Sequence, residues 1–556
     1  MNITSLIHDN ARRFPDRKAI IEDKTGAFLS FRQFSEQANQ VAANLRSHGV
    51  GKGCKVAFFV KPSLAFHTTI FALFQIGAVP VFIDPGVGWK QLLAAVGQAA
   101  PEVLIAEPLV LFVRKLFRSV FASVKLAVSP RQVVGERRFP RPPTPPSPLF
   151  ILEDDVAAII FTSGATGAPK GVVYTNGNFQ TQVKLLAKIL PTGEGDTDIS
   201  CFPLFSLFSL ALGMSSVIPD MNPSKPAQVD AGKIVRAIRQ HNAAQATGSS
   251  AIWERVADFC LEKDLQLPSL RGILMFGAPV SVLLHQKLKK VMPAGSTYTP
   301  YGATECLPVS WISGEEILHD CQNLTLQGKG TCVGTPFPET DVLIIKETDG
   351  PIPEISQVDE CAPFSIGEIL VSGKQTTREY FQKRDATELA KIKDPSGRIW
   401  HRMGDLGYKD ERGRIWFCGR KVHKFETEDG PVFPIMGEAI FNQDPEVKRT
   451  AIVGLLNGTT PCLVVERKDG RTKLSKKERM KFHSELLALG ARHKLTAKIQ
   501  SIVFHNSFPV DYRHNIKIDR IALRDQIILS EKRNLWRGPF LKKSSPPHLP
   551  PKNFRY

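Results

Sequence analysis

After an apolar run at 156–160 the chain reads Phe161-Thr162-Ser163-Gly164-Ala165-Thr166-Gly167-Ala168-Pro169-Lys170-Gly171. Gly164, Gly167 and the other small residues let successive backbone N–H groups turn toward one point. The hydroxyls of Thr162, Ser163 and Thr166 add donors, and Lys170 adds a positive charge on a flexible stem. A strand that empties into such a loop is suited to holding phosphate oxygens. The pattern is not the GxxxxGK[ST] loop of ordinary nucleotide hydrolases, because Lys170 follows a proline and precedes Gly171 instead of a hydroxyl residue.

These residues match a TSGxTGxPKG signature, and the chain resembles the AMP-forming adenylation superfamily of acyl-CoA synthetases, luciferases and peptide-synthetase adenylation domains. Later stretches carry the same resemblance. Phe276-Gly277-Ala278-Pro279 is similar to the loop that flanks adenine in relatives. Tyr301-Gly302-Ala303-Thr304-Glu305 matches YGxTE. Its chemistry agrees with that role: an aromatic ring can stack on a purine, Gly302 permits close approach, the Thr304 hydroxyl can donate to the α-phosphate and Glu305 can hold Mg2+. His401-Arg402-Met403-Gly404-Asp405-Leu406-Gly407 resembles [YH]RxGDL, which implies that Asp405 accepts from both ribose hydroxyls, a task suited to an acceptor-only group with two oxygens. Cys418-Gly419-Arg420 ends in the family's GR pair and implies Arg420 near ribose or phosphate. Lys517 falls where relatives carry PKTxSGKIxR and is implied as the lysine that bridges the substrate carboxylate and the α-phosphate. An ammonium suits that place, since charge builds on those oxygens as pyrophosphate leaves. The resemblance thus implies ATP and Mg2+ as cofactors, with Lys517, Glu305, Thr304 and Lys170 as catalytic groups.

The elements that must position these residues read as α/β. Helical patterns alternate with β-branched runs such as 55–60 and 79–83, which predicts βαβ units over a mostly parallel sheet. At 556 residues the chain exceeds one ordinary core. We expect a large N-terminal multi-sheet α/β domain over 1–419 for ATP and acyl binding. A small mobile α+β lid over 420–535 carries Lys517, with strands at 449–455 and 462–467 and a helix at 476–489. A basic, proline-rich tail follows at 536–556. The greasy segment 202–208 lies where the superfamily lines its acyl pocket, although core packing explains it equally well, and 247–251 lies where small residues open the acyl channel in relatives. Ile366 to Val371 matches a GEIxV structural strand.

Composition excludes several classes. The hydrophobic share of 42% beside 23% charged residues is that of a globular chain. Residues 1–15 hold no apolar signal core, and the 68–83 run is broken by Gln75, Gly77 and Pro80, so a cytoplasmic protein is expected. Nine cysteines without CxxC pairs read as reduced structural thiols. The net charge of +18 comes with no nucleic-acid motif. Within 109–128, Val113, Leu116, Phe117, Val120, Phe121 and Val124 recur at helical spacing among cations. A basic amphipathic helix there would lie on a membrane or partner; a surface helix packing one face on its own domain is the preferred reading. The proline-rich 137–148 segment reads as a stiff connector running over the surface.

Departures from the superfamily narrow the reading. The hinge position, Asp or Lys in most relatives, is Val422 here. Where thioester-forming relatives have a glycine-containing loop, this chain has Lys424-Phe425-Glu426-Thr427-Glu428-Asp429-Gly430, and its carboxylates oppose the approach of anionic CoA. Arg513-His514-Asn515 replaces the Ser-Gly before the end lysine. The GRKVHKF and DYRHNIKIDR stretches are together similar to the olefin-biosynthesis β-lactone synthetases. That branch implies a 2-alkyl-3-hydroxy long-chain acid substrate, closure by the substrate's own hydroxyl with His514 or His423 as candidate bases, and a complex with other olefin-pathway enzymes. The competing readings are a long-chain acyl-CoA synthetase or acyl-AMP ligase, and a non-catalytic nucleotide-binding scaffold subunit.

Overall fold

The structure is a computed structural model that describes residues 3–135, 150–162, 169–455, 458–471, 474–510 and 517–535. A six-stranded sheet is built first, from 55–59, 79–82, 103–106 and 126–128 together with Val156–Thr162 and Lys170–Thr175. Its spatial order runs 126–128, 103–106, 55–59, 79–82, 156–162, 170–175, with every pair parallel except the last. These strands are runs of Val, Ile, Phe and Ala because helices cover both faces. The helix Leu64–Gln75 covers one face, while Trp89–Ala99 and Pro108–Leu116 cover the other.

A fourteen-stranded sheet takes most of the remaining large region. Its parallel half centres on Thr197–Ser200, Gln245–Gly248 and Gly272–Met275, and its antiparallel half on Ser296–Ala303, Cys306–Ser313, Ile399–Lys409 and Ile415–Arg420. Beyond Arg420 come the hairpin Phe425–Thr427/Gly430–Val432 and a three-stranded sheet of Val447–Leu455, Thr460–Arg467 and Ser501–Phe504, covered by the helix Lys476–Ala491. The α/β class and the named strands and helices stand as the sequence predicted.

One element differs. The helix expected across 109–128 stops at Leu116; Phe117 caps it outside helical dihedrals, turns follow, and Leu126–Val128 adds an edge strand to the six-stranded sheet. Phe121 and Val124 continue the apolar spacing because they drop into the core under the sheet, not because the helix continues. The connector 137–148 and the tail 536–556 lie outside the described residues.

Candidate functional site

Val156–Thr162 and Lys170–Thr175 form an antiparallel pair in which Thr162 faces Lys170, so both ends of the intervening loop are held at one place. Gly171 is required there: a Cβ would come within 2.9 Å of Ile159 and 3.1 Å of the Phe161 ring. Of the expected phosphate-loop residues, Thr162 and Lys170 are described, and Ser163, Gly164, Thr166 and Gly167 lie outside the described residues.

The next segment to arrive is 376–381, which runs beside the strand Lys170–Thr175. Phe381 N–H donates to Gly171 O at 2.7 Å and Val173 N–H to Glu379 O at 3.3 Å. This puts the Tyr380 ring under Lys170, whose Nζ stands 5.2 Å from the ring centroid. The Tyr380 hydroxyl donates to Glu305 Oε1 at 2.7 Å. Burial, and then the Glu305 charge, push the Tyr380 phenol far up, so it stays protonated and remains a donor. Thr377 fixes the Glu305 backbone through its N–H and its hydroxyl, each 2.9 Å from Glu305 O. The neighbouring Thr304 carbonyl accepts from the buried Tyr174 hydroxyl. Beneath them Lys391 is buried, with Nζ donating to Thr377 Oγ1 at 3.2 Å. Burial lowers its pKa to about 8, against the opposing pull of the Glu305 charge and the Cys306 thiol.

A second cluster forms around Asp405, which faces Arg420 across the Ile399–Lys409/Ile415–Arg420 hairpin. Arg420 Nη1 meets Asp405 Oδ1 at 2.7 Å, and the Tyr301 hydroxyl donates to Asp405 Oδ2 at 2.7 Å. Asp405 chiefly, with Tyr301 and Glu305 adding smaller pulls, raises the Arg420 pKa, so the guanidinium lies in the field of both clusters. Each Asp405 oxygen has a further lone pair to offer a sugar hydroxyl. The room expected at Gly302 is used by the chain itself, since a Cβ there would sit 2.6 Å from Cys306 O. Gly277, Ala278 and Pro279 form the turn after the strand Gly272–Met275, with Gly277 at φ +98°. Before that turn, Phe276 stacks on Phe205 at 6.1 Å and meets Phe202 edge-on at 5.6 Å. Phe202, Phe205 and Phe208 thus share one apolar cluster with Phe276 beside this turn.

Lys517 is exposed at the start of the last described segment, three residues before the buried Arg520–Glu438 pair at 2.6 Å. His423 lies in the field of Arg520 in that segment and of Arg420: its pKa falls to about 4, first through burial and then through those two charges. It is neutral at physiological pH. His514 lies outside the described residues.

Anchors flank Val422. Lys421 Nζ donates to Thr348 O at 2.6 Å and lies 3.2 Å from Asp349, and Lys424 Nζ reaches Glu347 at 2.9 Å. Glu426 is paired with Lys424 and Asp429 with Lys498, so two of the carboxylates expected to repel CoA carry their own cations. Below the anchors, Arg402 and Glu368 form a buried pair at 2.7 Å. Tyr380, Thr377, Lys391 and the two anchors escaped the sequence reading. The one sequence signal was the aromatic pair Tyr380-Phe381 following two threonines, which carries no chemistry until the strands are paired.

Glu305 suits Mg2+, an ion usually held by one or two carboxylates with water and substrate phosphate completing its shell, because Tyr380 engages only one of its oxygens.

A family model described as AMP-binding enzyme matches residues 7–381. The chain is 40% identical over 546 residues to the olefin beta-lactone synthetase of Xanthomonas campestris pv. campestris, covering 94% of this chain and 96% of that protein. To the olefin beta-lactone synthetase of Stenotrophomonas maltophilia it is 37% identical, with 94% and 97% covered. Among solved structures it resembles the anthranilate CoA ligase AuaEII in complex with anthranoyl-AMP, with a TM-score of 0.78, 17% identity and 96% and 98% covered.

Proposed function

This chain belongs to the AMP-binding enzyme family, and from that premise we propose that it is an AMP-forming ligase that activates a 3-hydroxy acid with ATP and closes it to a β-lactone. The observation that carries this reading is near full-length similarity to two olefin beta-lactone synthetases, in a chain that keeps Lys170, Glu305, Asp405, Arg420 and Lys517. The substrate is a 2-alkyl-3-hydroxy long-chain acid, and the enzyme serves beside other enzymes of olefin formation.

In the first stage a substrate carboxylate oxygen bonds to the α-phosphorus of ATP, and the bond to the β-phosphate oxygen breaks. Lys170 neutralises the departing pyrophosphate together with the 162–167 loop. Thr304 donates to the α-phosphate, Asp405 accepts from the ribose hydroxyls, and the 277–279 turn and Tyr301 border the adenine. Lys517 neutralises the reacting oxygens, carried by a lid over 420–535 against a large domain over 1–419; the separate sheet of 447–504 supports that division. Bound at Glu305, Mg2+ would supply positive charge to the phosphates.

In the second stage the substrate hydroxyl oxygen attacks the acyl carbonyl, the acyl–phosphate bond breaks with AMP leaving, and the hydroxyl proton passes to a base, with neutral His423 the described candidate. The hydroxyl is tethered to the acid it attacks, so orientation replaces an external acceptor.

Purified protein with ATP, Mg2+ and a 2-alkyl-3-hydroxy long-chain acid should give a product lighter than the acid by one water, with AMP release independent of CoA and NMR signals of a four-membered ring. A thioester formed only with CoA would replace this reading with an acyl-CoA ligase. That second reading is favoured by the paired carboxylates Glu426 and Asp429.

A further inference from the structure

The helices Trp89–Ala99 and Pro108–Leu116 follow the parallel strands 79–82 and 103–106, which flank the strand 55–59, and pack on the same face of the six-stranded sheet. Both begin beyond the C-terminal ends of those strands, the edge at which Thr162 enters the phosphate loop. The second helix is held by Val110 and Leu111, which pack on the core beneath, and by Arg114, whose guanidinium donates to Val124 O at 3.2 Å. Its other side is apolar without being covered: Leu109 is 68%, Phe112 57% and Leu116 67% exposed. These positions, i, i+3 and i+7, make one stripe. Trp89, at the start of the neighbouring helix, is 59% exposed.

Charge identifies what covers the stripe. From Pro108 to Gly135 the chain carries Arg114, Lys115, Arg118, Lys125 and Arg131 and no acidic residue. The nearest preceding carboxylates are occupied, Glu102 by Lys125 at 3.3 Å and Glu107 by the Lys61 N–H at 3.1 Å. Lys115 and Arg118 are exposed beside the stripe, and Lys90 is exposed beside Trp89. An exposed stripe of Leu and Phe flanked by cations, with an exposed Trp at the start of the other helix on that face of the sheet, matches the composition of interfacial helices that settle at the headgroup level of an anionic bilayer. The helix is far too short to span one, and among the described residues no helix is long and apolar enough to cross a membrane. We propose that the face made by Trp89, Leu109, Phe112, Leu116, Lys115 and Arg118 docks the enzyme on an anionic lipid surface. The proposal does not depend on the identity of the acid. It places the site edge of the six-stranded sheet toward the phase in which a long-chain acid dissolves.

The test is flotation of the full chain with vesicles of phosphatidylcholine alone or mixed with phosphatidylglycerol, at low and high salt. The protein should float with the mixed vesicles, much less with phosphatidylcholine, and less as salt rises. The variant Leu109→Ser, Phe112→Ser, Leu116→Ser should lose flotation. Lys115→Glu with Arg118→Glu should weaken it by about tenfold or more. Since all five side chains are exposed, thermal unfolding and ATP-dependent turnover of a detergent-dispersed acid should stay unchanged in both variants. Failure of the unaltered protein to float with anionic vesicles, or equal flotation of the Ser variant, overturns the proposal. So does loss of flotation on removing residues 536–556 with the stripe intact, which would assign binding to the basic tail. A stripe variant that changes only the oligomeric state would make the face a protein interface and equally refute it.

Discussion

The Glu305 carboxylate is aimed by one phenol and faced by one buried ammonium, and the two make different predictions for stability. Tyr380→Phe removes the 2.7 Å hydrogen bond to Glu305 and leaves the ring under Lys170 in place. A hydrogen bond to a charged group is worth about 1.5–3 kcal/mol, so adenylate formation, followed by pyrophosphate exchange, should slow roughly ten- to a hundredfold, with a raised Mg2+ requirement and little change in melting temperature. Unchanged exchange would remove Tyr380 from the site. Lys391 is retained at a thermodynamic cost. Its folded pKa of about 8 lies below the unfolded 10.5, so at pH 7 the folded state holds the proton less willingly than the unfolded chain. Stability therefore rises as pH climbs from the folded value toward the unfolded one, and the cost at neutral pH is on the order of 3 kcal/mol. Lys391→Met should stabilise the protein against urea at pH 7, by an amount that shrinks toward pH 10, while lowering turnover because the positive charge beside Glu305 is gone. A variant less stable at pH 7 than the unaltered protein would contradict this. Neither residue was legible in the sequence: Tyr380 and Lys391 acquire meaning only when 376–381 is laid against the strand Lys170–Thr175.

Among elements, the strands and motif-bearing turns were readable because each combines a local signal with a local consequence. The run at 156–160 with the glycines that follow it, and Tyr301 to Glu305 with its single glycine, predict turns wherever they are placed. The 109–128 helix was misread because burial at Phe121 and Val124 keeps helical spacing across a turn, and spacing alone does not distinguish a continuing helix from a chain that doubles back to the same core. The hinge was half legible. Its departure at Val422 could be seen, but not that Lys421 and Lys424 on either side are fastened to 347–349. Those anchors fasten the chain just beyond Arg420 to 347–349, which suits the proposed reaction, whose second nucleophile travels with its substrate. Replacing both lysines by alanine removes two partly buried charged contacts, each worth about 1 kcal/mol, and should slow adenylate formation roughly tenfold or more without creating CoA-dependent turnover. Emergence of a thioester product in that variant would mean that the anchors, and not the carboxylates of 426–429, are what exclude CoA.

Across the whole molecule, the candidate site draws on the six-stranded and fourteen-stranded sheets, and the proposed function adds Lys517 from the segment after Arg420. Sequence motifs name candidate members by residue type, and among them the structure ties Glu305 to Tyr380 and Asp405 to Arg420 and Tyr301. Sequence reading missed how they are tied, because the ties run between segments far apart in the chain, as from Tyr301 to Asp405 and from Tyr380 to Glu305. A ligand that touches all three regions should therefore stabilise them together. An AMP-containing analogue of the acyl-adenylate that binds only the folded chain adds about 2.7 kcal/mol at a hundredfold excess over its Kd, and the melting temperature should climb with its concentration. Asp405→Asn preserves shape but gives up a charge that pairs with Arg420 at 2.7 Å and that is expected to accept from both ribose hydroxyls. In that variant the ligand-free melting temperature should fall, because Arg420 is left beside a neutral amide, and the ligand-dependent rise should shrink as well. The second effect separates a binding role from a structural one: a lower starting point with an undiminished rise would show that Asp405 braces the Ile399–Lys409/Ile415–Arg420 hairpin and that the ribose is held elsewhere.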